Sequence, residues 1–335
     1  MTRYLLLLAP SANRVYAGES ARLARAELQV SCPRTHGQDV EEVAGLDYLA
    51  LESDQPVDEL ARCLAGQSAS LALFERTDTD LLRPVQLPRV DLLDDDFVTI
   101  PKYQGKTNEQ FTRLLLNVTI AALRRPVTGP LDILDPLSGR GTTLETAWTM
   151  GHHAYGVEAD EKSFEAMAAY LRTWLRRKRL KHTATVSPVR REGRSLGRRF
   201  DAELRLDPPL TMTVFTGDTR QSAALFGKKR FDVVVTDAPY GVVHGSQTDV
   251  RGHSGKRDRS PAGLLREAIP VWARQLRRGG SLGMSWNTYG LSREDAAAML
   301  SDAGLEVLDG APWTSFGHRV DSSINRDLII AVAPL

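Results

Sequence analysis

The sequence predicts an α/β chain in which a mostly parallel sheet, with helices on both faces, follows a small α+β unit. Three observations carry this. From residue 131 onward, short apolar runs alternate with segments of helical period. The polar signatures of that region fall at the carboxyl ends of the apolar runs, where ligands bind in open parallel sheets. The first 80 residues instead follow the order β-α-β-β-α-β of a ferredoxin-like domain.

In that first unit, Arg3–Ala9 reads as a buried strand and Ser20–Val30 as a helix with Ala21, Leu23, Ala24 and Leu28 inward. Val40–Val43 and Leu46–Leu51 are strands, Pro56–Ala65 a helix opened by Pro56 and Asp58, and Ala69–Phe74 a strand. Residues 81–98 hold Pro84, Pro88 and the run Asp94-Asp-Asp96 without a period, so they read as a connector. The second domain covers 99–335 and opens with Ile100-Pro-Lys-Tyr-Gln-Gly-Lys-Thr107 and an amphipathic helix from Asn108 to about Leu123.

There, strands are read at Leu131–Pro136, His153–Val157, Thr211–Phe215, Phe231–Thr236, Ser281–Trp286, Glu306–Val307 and Asp327–Val332. Helices fall between them at Thr142–Met150, Glu161–Leu180, Pro261–Leu276 and Ser292–Ala303. Residues 181–210 interrupt the alternation as a basic insertion, in which His182–Val186 and Phe200–Leu206 pair as a hairpin.

The 335 residues suit two domains at roughly 100–200 residues each. A hydrophobic share of 42% and a charged share of 25% are those of a soluble globular chain. The sequence holds no apolar run of the roughly 20 residues needed to cross a bilayer, and Leu5–Leu8 is too short for a signal peptide. Cys32 and Cys63 lack metal-ligand spacing and read as buried thiols in a reducing compartment, which makes the cytoplasm the expected location. His244 and His253 have no metal-ligand pattern either, so no metal is expected. Arg172 to Arg199 is strongly basic, which fits either a polyanionic partner or a solvated helix face.

Asp135-Pro136-Leu-Ser-Gly139-Arg-Gly141-Thr142 follows a strand and opens a helix. Its two glycines let the backbone approach a ligand closely. No Gly-Lys-Ser/Thr follows, which excludes a P-loop, and Leu144 breaks the dinucleotide pattern Gly-x-Gly-x-x-Gly. Asp135 would repel a pyrophosphate but suits an amine, such as that of a methionine. Glu158 ends the next strand, where an acid accepts the hydroxyls of a ribose. Asp218 ends the third, where it either accepts from an adenine amine or caps the following helix. Together the three point to S-adenosyl-L-methionine.

Phe231–Gly241 is a buried strand that breaks at Pro239. It holds Asp237 at the strand end. An exocyclic amine on a base is a poor nucleophile because its lone pair is delocalised; acceptance of its hydrogens by the Asp237 carboxylate and a turn carbonyl at Ala238 restores it. Tyr240 supplies a stacking face for a base swung out of its context. In the following loop, Arg251, Lys256, Arg257 and Arg259 are placed to meet phosphates, or else form an ordinary surface loop.

Asp237-Ala-Pro-Tyr-Gly241 resembles the Asp-Pro-Pro-Tyr motif of amino-group methyltransferases, and Asp135–Gly141 resembles their first motif. Lys102-Tyr103-Gln-Gly-Lys106 looks like the segment that closes over methionine in those enzymes. With Arg326-Asp-Leu-Ile-Ile330, the set looks most like the THUMP-associated tRNA (guanine-N2) methyltransferases over roughly residues 98–333. Arg22–Leu28 is similar to the domain that precedes THUMP there. The resemblance implies a Rossmann-like class I methyltransferase sheet, S-adenosyl-L-methionine as cofactor, and RNA, specifically guanine N2 of tRNA, as substrate. Two departures stand out: Ala238 replaces the first Pro, and the N-terminal hundred residues are few for that domain plus a full THUMP. An N6-adenine DNA methyltransferase, a methylase of protein glutamine or of a small molecule, and a non-catalytic RNA-binding protein with a retained cofactor fold remain open.

Overall fold

The structure is a computed structural model that describes residues 1–11, 13–77, 81–191, 194–239 and 261–335. The N-terminal unit runs β1 (Thr2–Leu8), α1 (Arg14–Ser31), β2 (Thr35–Val43), β3 (Leu46–Ser53), α2 (Val57–Ala65), β4 (Ser70–Arg76) and β5 (Leu82–Val85). Its strands are antiparallel in the order β2-β3-β1-β4-β5. The first four follow the ferredoxin-like arrangement, as the βαββαβ pattern predicts. Leu28, Leu49, Leu51, Leu60, Leu64 and Leu73 form the core between that sheet and its two helices.

Three readings change here. Helix α1 starts six residues before the expected Ser20, because Asn13 caps it by accepting from Val15 N and Tyr16 N. Residues 81–98, read as a connector, begin with β5, whose Pro84 sits on an edge strand where its missing N–H costs little. Cys32 and Cys63, read as free thiols, form a disulfide between the end of α1 and α2, with Cα atoms 6.2 Å apart. The disulfide removes the premise on which a reducing compartment was expected.

The second part runs α3 (Asp96–Thr99), α4 (Glu109–Ala121), β6 (Asp132–Asp135), α5 (Thr142–Thr149), β7 (His153–Glu158), α6 (Glu161–Arg177), β8 (His182–Arg191), β9 (Arg194–Leu204) and β10 (Leu210–Thr216). It continues with α7 (Ser222–Phe226), β11 (Phe231–Asp237), α8 (Ala262–Gln275), β12 (Leu276–Asn287), α9 (Arg293–Asp302), β13 (Glu306–Val307), β14 (His318–Arg319) and β15 (Asn325–Val332). The sheet order is β13-β15-β12-β11-β6-β7-β10-β9-β8. Leaving out the terminal hairpin and counting only the main strands, this is 3-2-1-4-5-7-6 with the seventh antiparallel. The chain therefore carries a Rossmann-like α/β sheet.

The central strands are apolar runs, Val233-Val-Val235 in β11 among them, because helices cover both faces. On one face α4, α5 and α6 bury Phe111, Leu115, Trp148, Phe164 and Leu171; on the other α8 and α9 bury Leu265, Trp272 and Leu300. Tyr16, Leu23 and Ala26 of α1 belong to the first of these cores, so the N-terminal unit shares a core with the sheet.

The basic insertion is the expected hairpin, β8 against β9 with His182 opposite Leu204, added to the edge of β10. Its register with β10 ends at Arg199 opposite Phe215, and Gly197 and Arg198 still lie against Thr216, whose Oγ1 accepts from Arg198 N at 2.7 Å. The basic end of α6 lies at the other edge, since the helix runs back along β7. There Lys178 pairs with Asp94 at 2.9 Å and Asp96 at 2.7 Å, so the acidic run offsets part of the basic one. No helix among the described residues is long and apolar enough to cross a membrane.

Candidate active site

Strands β6 and β11 lie side by side, with Val233 opposite Ile133 and Val234 opposite Leu134, and bring Asp135 and Asp237 to one rim. Asp135 is 3% exposed. Its Oδ1 accepts from Leu137 N at 3.0 Å and Thr236 Oγ1 at 2.9 Å, which ties the start of the glycine loop to the next strand. Burial, with a lesser contribution from the Asp237 charge, pushes its carboxyl up to about 7.

The loop itself needs its glycines. Gly141 has φ +93°, and a Cβ there would lie 3.0 Å from Met167 Cγ. Gly156, paired with Asp135 across β7, would place a Cβ 2.9 Å from Leu144 Cδ1 and 3.0 Å from Ser138 Oγ. Gly139 also has positive φ, at +53°, and Pro136 is buried behind the loop. Thr142 opens α5, and its Oγ1 is 2.8 Å from the Tyr103 hydroxyl. The Arg140 guanidinium lies over the Tyr103 ring at 4.9 Å. Lys102 is exposed and approaches Glu109 at 3.8 Å.

Glu158 ends β7 half-buried, with Oε1 accepting from Asp160 N at 2.7 Å. Burial raises its carboxyl above the usual range. Asp218 follows β10 and takes the cap role: it accepts from Arg220 N at 2.9 Å. The Arg220 guanidinium also grips its carboxylate, at 2.5 Å for the shortest contact, and holds it below the usual range.

Asp237 is held from three sides. Thr107 Oγ1 donates to Oδ2 at 2.6 Å, Ser285 Oγ donates to Oδ1, and the Arg326 guanidinium stands 3.8 Å from Oδ2. The two hydroxyls fix its rotation. Ala238 is buried and donates to Ser285 O at 2.8 Å, while Pro239 is exposed. Tyr240, Arg251, Lys256, Arg257 and Arg259, like His244 and His253, lie outside the described residues.

Four residues enter the site that were not among those expected there. Thr107 and Ser285 reach Asp237 from a loop and a neighbouring strand, and Arg326 comes from the last strand, where only a motif drew attention to it. Glu145 is 1% exposed and lines a cavity of about 170 Å³ beside the glycine loop, with Lys102, Tyr103, Arg140, Met167 and Tyr170. Burial raises its carboxyl well above the usual range. Its position four residues after Gly141, as the one charged residue of α5, was the signal available. Among the described residues no cluster of His, Cys, Asp and Glu is placed to hold a metal ion.

No family model matches the chain, and no curated protein matches it in sequence. Solved structures similar in arrangement include precorrin-6y C5,15-methyltransferase from Geobacter metallireducens, with 16% identity, 75% of this chain and 100% of that one covered, and a TM-score of 0.41. Magnesium protoporphyrin IX methyltransferase from Synechocystis, solved with bound SAM, gives 15% identity, 71% and 90% coverage, and a TM-score of 0.41. The fibrillarin pre-rRNA processing protein of Methanococcus jannaschii gives 11% identity, 89% and 98% coverage, and a TM-score of 0.40. The strand order and register of this chain, rather than these likenesses, carry its fold.

Proposed function

We propose that the chain is an S-adenosyl-L-methionine-dependent methyltransferase acting on an exocyclic base amine of RNA, with guanine N2 of tRNA as the expected target. The observation that supports this most is Asp237: a carboxylate at a strand end, oriented by two hydroxyls and an arginine, one strand from a glycine loop with left-handed φ at Gly139 and Gly141.

The residues present fit the cofactor. The loop is held in left-handed backbone at Gly139 and Gly141, and a Cβ at Gly139 would meet nothing within 4 Å, so its surface is open to a ligand. Glu158 offers acceptors for ribose hydroxyls, while Asp218, expected to meet an adenine amine, is engaged by Arg220. Asp135, Lys102, Tyr103, Pro136, Gly139 and Thr142 shape the methionine end. Glu145 and Arg140 line the adjoining cavity and offer polar partners to the ammonium and carboxylate of an amino acid. When bound, S-adenosyl-L-methionine supplies an electrophilic methyl group.

The chain supplies the rest. Asp237 accepts a hydrogen bond from the base amine, which localises its nitrogen lone pair, and the departing proton is received at the same carboxylate. Ala238 contributes a carbonyl to the same task, so its replacement of Pro leaves the chemistry available. Tyr240 stacks on the base, and Arg251, Lys256, Arg257 and Arg259 meet its phosphates. Residues 194–196 of β9 extend past its last contact with β10 at the same rim.

The test is incubation of the protein with methyl-labelled S-adenosyl-L-methionine and total RNA or DNA, with calorimetry of cofactor binding alongside. Label in RNA supports the reading. Label confined to DNA makes it an N6-adenine-type enzyme, and failure to bind the cofactor makes it a binding protein.

A further inference from the structure

A second cavity, of about 50 Å³, is lined in part by Arg326, which approaches Asp237 at 3.8 Å. Asn13, Lys106, Asn108, His318, Arg319 and Arg326 line it. Strands β11 and β12 separate β15 from β6, a span of roughly 14 Å. The cavity is therefore on the acceptor side of the site. Lys106 precedes Thr107, which donates to Asp237 at 2.6 Å, and Arg326 reaches the same carboxylate at 3.8 Å.

Its walls are built for negative charge. Asn13 and Asn108 cap α1, of 18 residues, and α4, of 13 residues, so two long helices present their N-termini here. Each end carries the equivalent of about half a positive charge. Lys106 commits two of its three hydrogens, to Val98 O at 2.5 Å and Glu109 Oε1 at 2.5 Å. Arg319 spends Nε on Asp321 O at 3.0 Å, and its terminal nitrogens have no partner among the described residues.

His318 is 3% exposed, with Nδ1 placed 2.9 Å from Phe316 O. A carbonyl oxygen only accepts, so the proton sits on Nδ1. Nε2 is buried without a partner among the described residues. Leaving such a group unpaired costs about 1–3 kcal/mol. Burial, with Arg326 and Arg22 nearby, pushes the imidazole down to about 4. An anion beside it offsets that positive charge and lets Nε2 take a proton and donate. The volume holds roughly four waters, the size of a small oxyanion and too small for a base.

We propose that this cavity binds one phosphate of the RNA substrate, flanking the base whose amine meets Asp237, with residues of the N-terminal unit and of the sheet sharing it. This rests on the reading of Asp237 given above. The experiment measures binding of fluorescently labelled bulk tRNA by anisotropy and of S-adenosyl-L-methionine by calorimetry, on the full chain and two variants. Arg319→Glu reverses the exposed charge at the mouth. Asn13→Asp keeps an equally good helix cap while placing a carboxylate in the wall. Both are expected to weaken tRNA binding about tenfold, with a salt slope smaller by about one for Arg319→Glu, and to leave cofactor affinity and melting temperature unchanged. Unchanged tRNA affinity in both variants overturns the proposal. A loss of cofactor affinity instead assigns the cavity to the methionine carboxylate and also overturns it. If the unaltered protein binds no tRNA, the RNA reading itself fails, an outcome distinct from either.

Discussion

Asp135 and Asp237 end adjacent strands yet meet opposite environments. Asp135 is enclosed, and Asp237 is held by hydroxyls and an arginine at the rim. Asp237→Ala is expected to lower turnover by at least about a thousandfold, in the upper range of a general base. Calorimetry should find cofactor affinity within about threefold of the original; a near-normal rate removes Asp237 from the chemistry. Asp135 shifts from 3.8 to about 7 on folding, so the folded chain binds the extra proton. That contribution is complete below about pH 4 and is lost as pH rises through about 7, a swing of about 4 kcal/mol. Asp135→Asn keeps an acceptor for Leu137 and Thr236 without the charge. Urea unfolding across that range should show the loss in the original chain and a flat profile in the variant. At this scale the sequence revealed the residues at strand ends, because strand ends are visible as breaks in apolar runs. Thr107, Ser285 and Glu145 were hidden, since their roles depend on which strands and helices become neighbours.

The alternation of elements was legible from residue 131, where central strands are apolar throughout and the helices amphipathic. Edge elements were not. β5 and β14 are short strands made by pairing with β4 and β15, not by their own pattern. β12 begins at Leu276, five residues before Ser281, because Leu276 pairs with Phe231 ahead of a register shift. The glycine loop gives the prediction at this scale. Gly141→Ala forces a Cβ against Met167 in a left-handed conformation, which costs about 1–2 kcal/mol. Cofactor affinity is expected to fall about tenfold by calorimetry, and an unchanged affinity would show that nothing approaches the loop closely.

Over the whole molecule, the division of the chain into a leader and a catalytic domain is less sharp than the sequence suggests. Glu27 of α1 is fully buried and accepts from Ser68 N at 3.0 Å, Ser68 Oγ at 2.5 Å and Asn117 Nδ2 of α4 at 2.6 Å. Nothing in a helical Glu announces such a role. Glu27→Ala strands those donors and is expected to cost about 3 kcal/mol. Chemical denaturation that shows one transition in the original chain should then show the N-terminal unit melting first; an unchanged midpoint would mean the two units are not coupled there.

The central claim joins these scales: a cofactor loop, an amine acceptor one strand away and an anion-binding wall beyond it serve methylation of an RNA base. Nucleoside mass spectrometry of RNA treated with the protein and S-adenosyl-L-methionine tests it most directly. The account predicts one amine-methylated nucleoside, formed by the original chain and absent with Asp237→Ala. A methyl group on ribose or on a ring carbon, or the same product from both proteins, would contradict it.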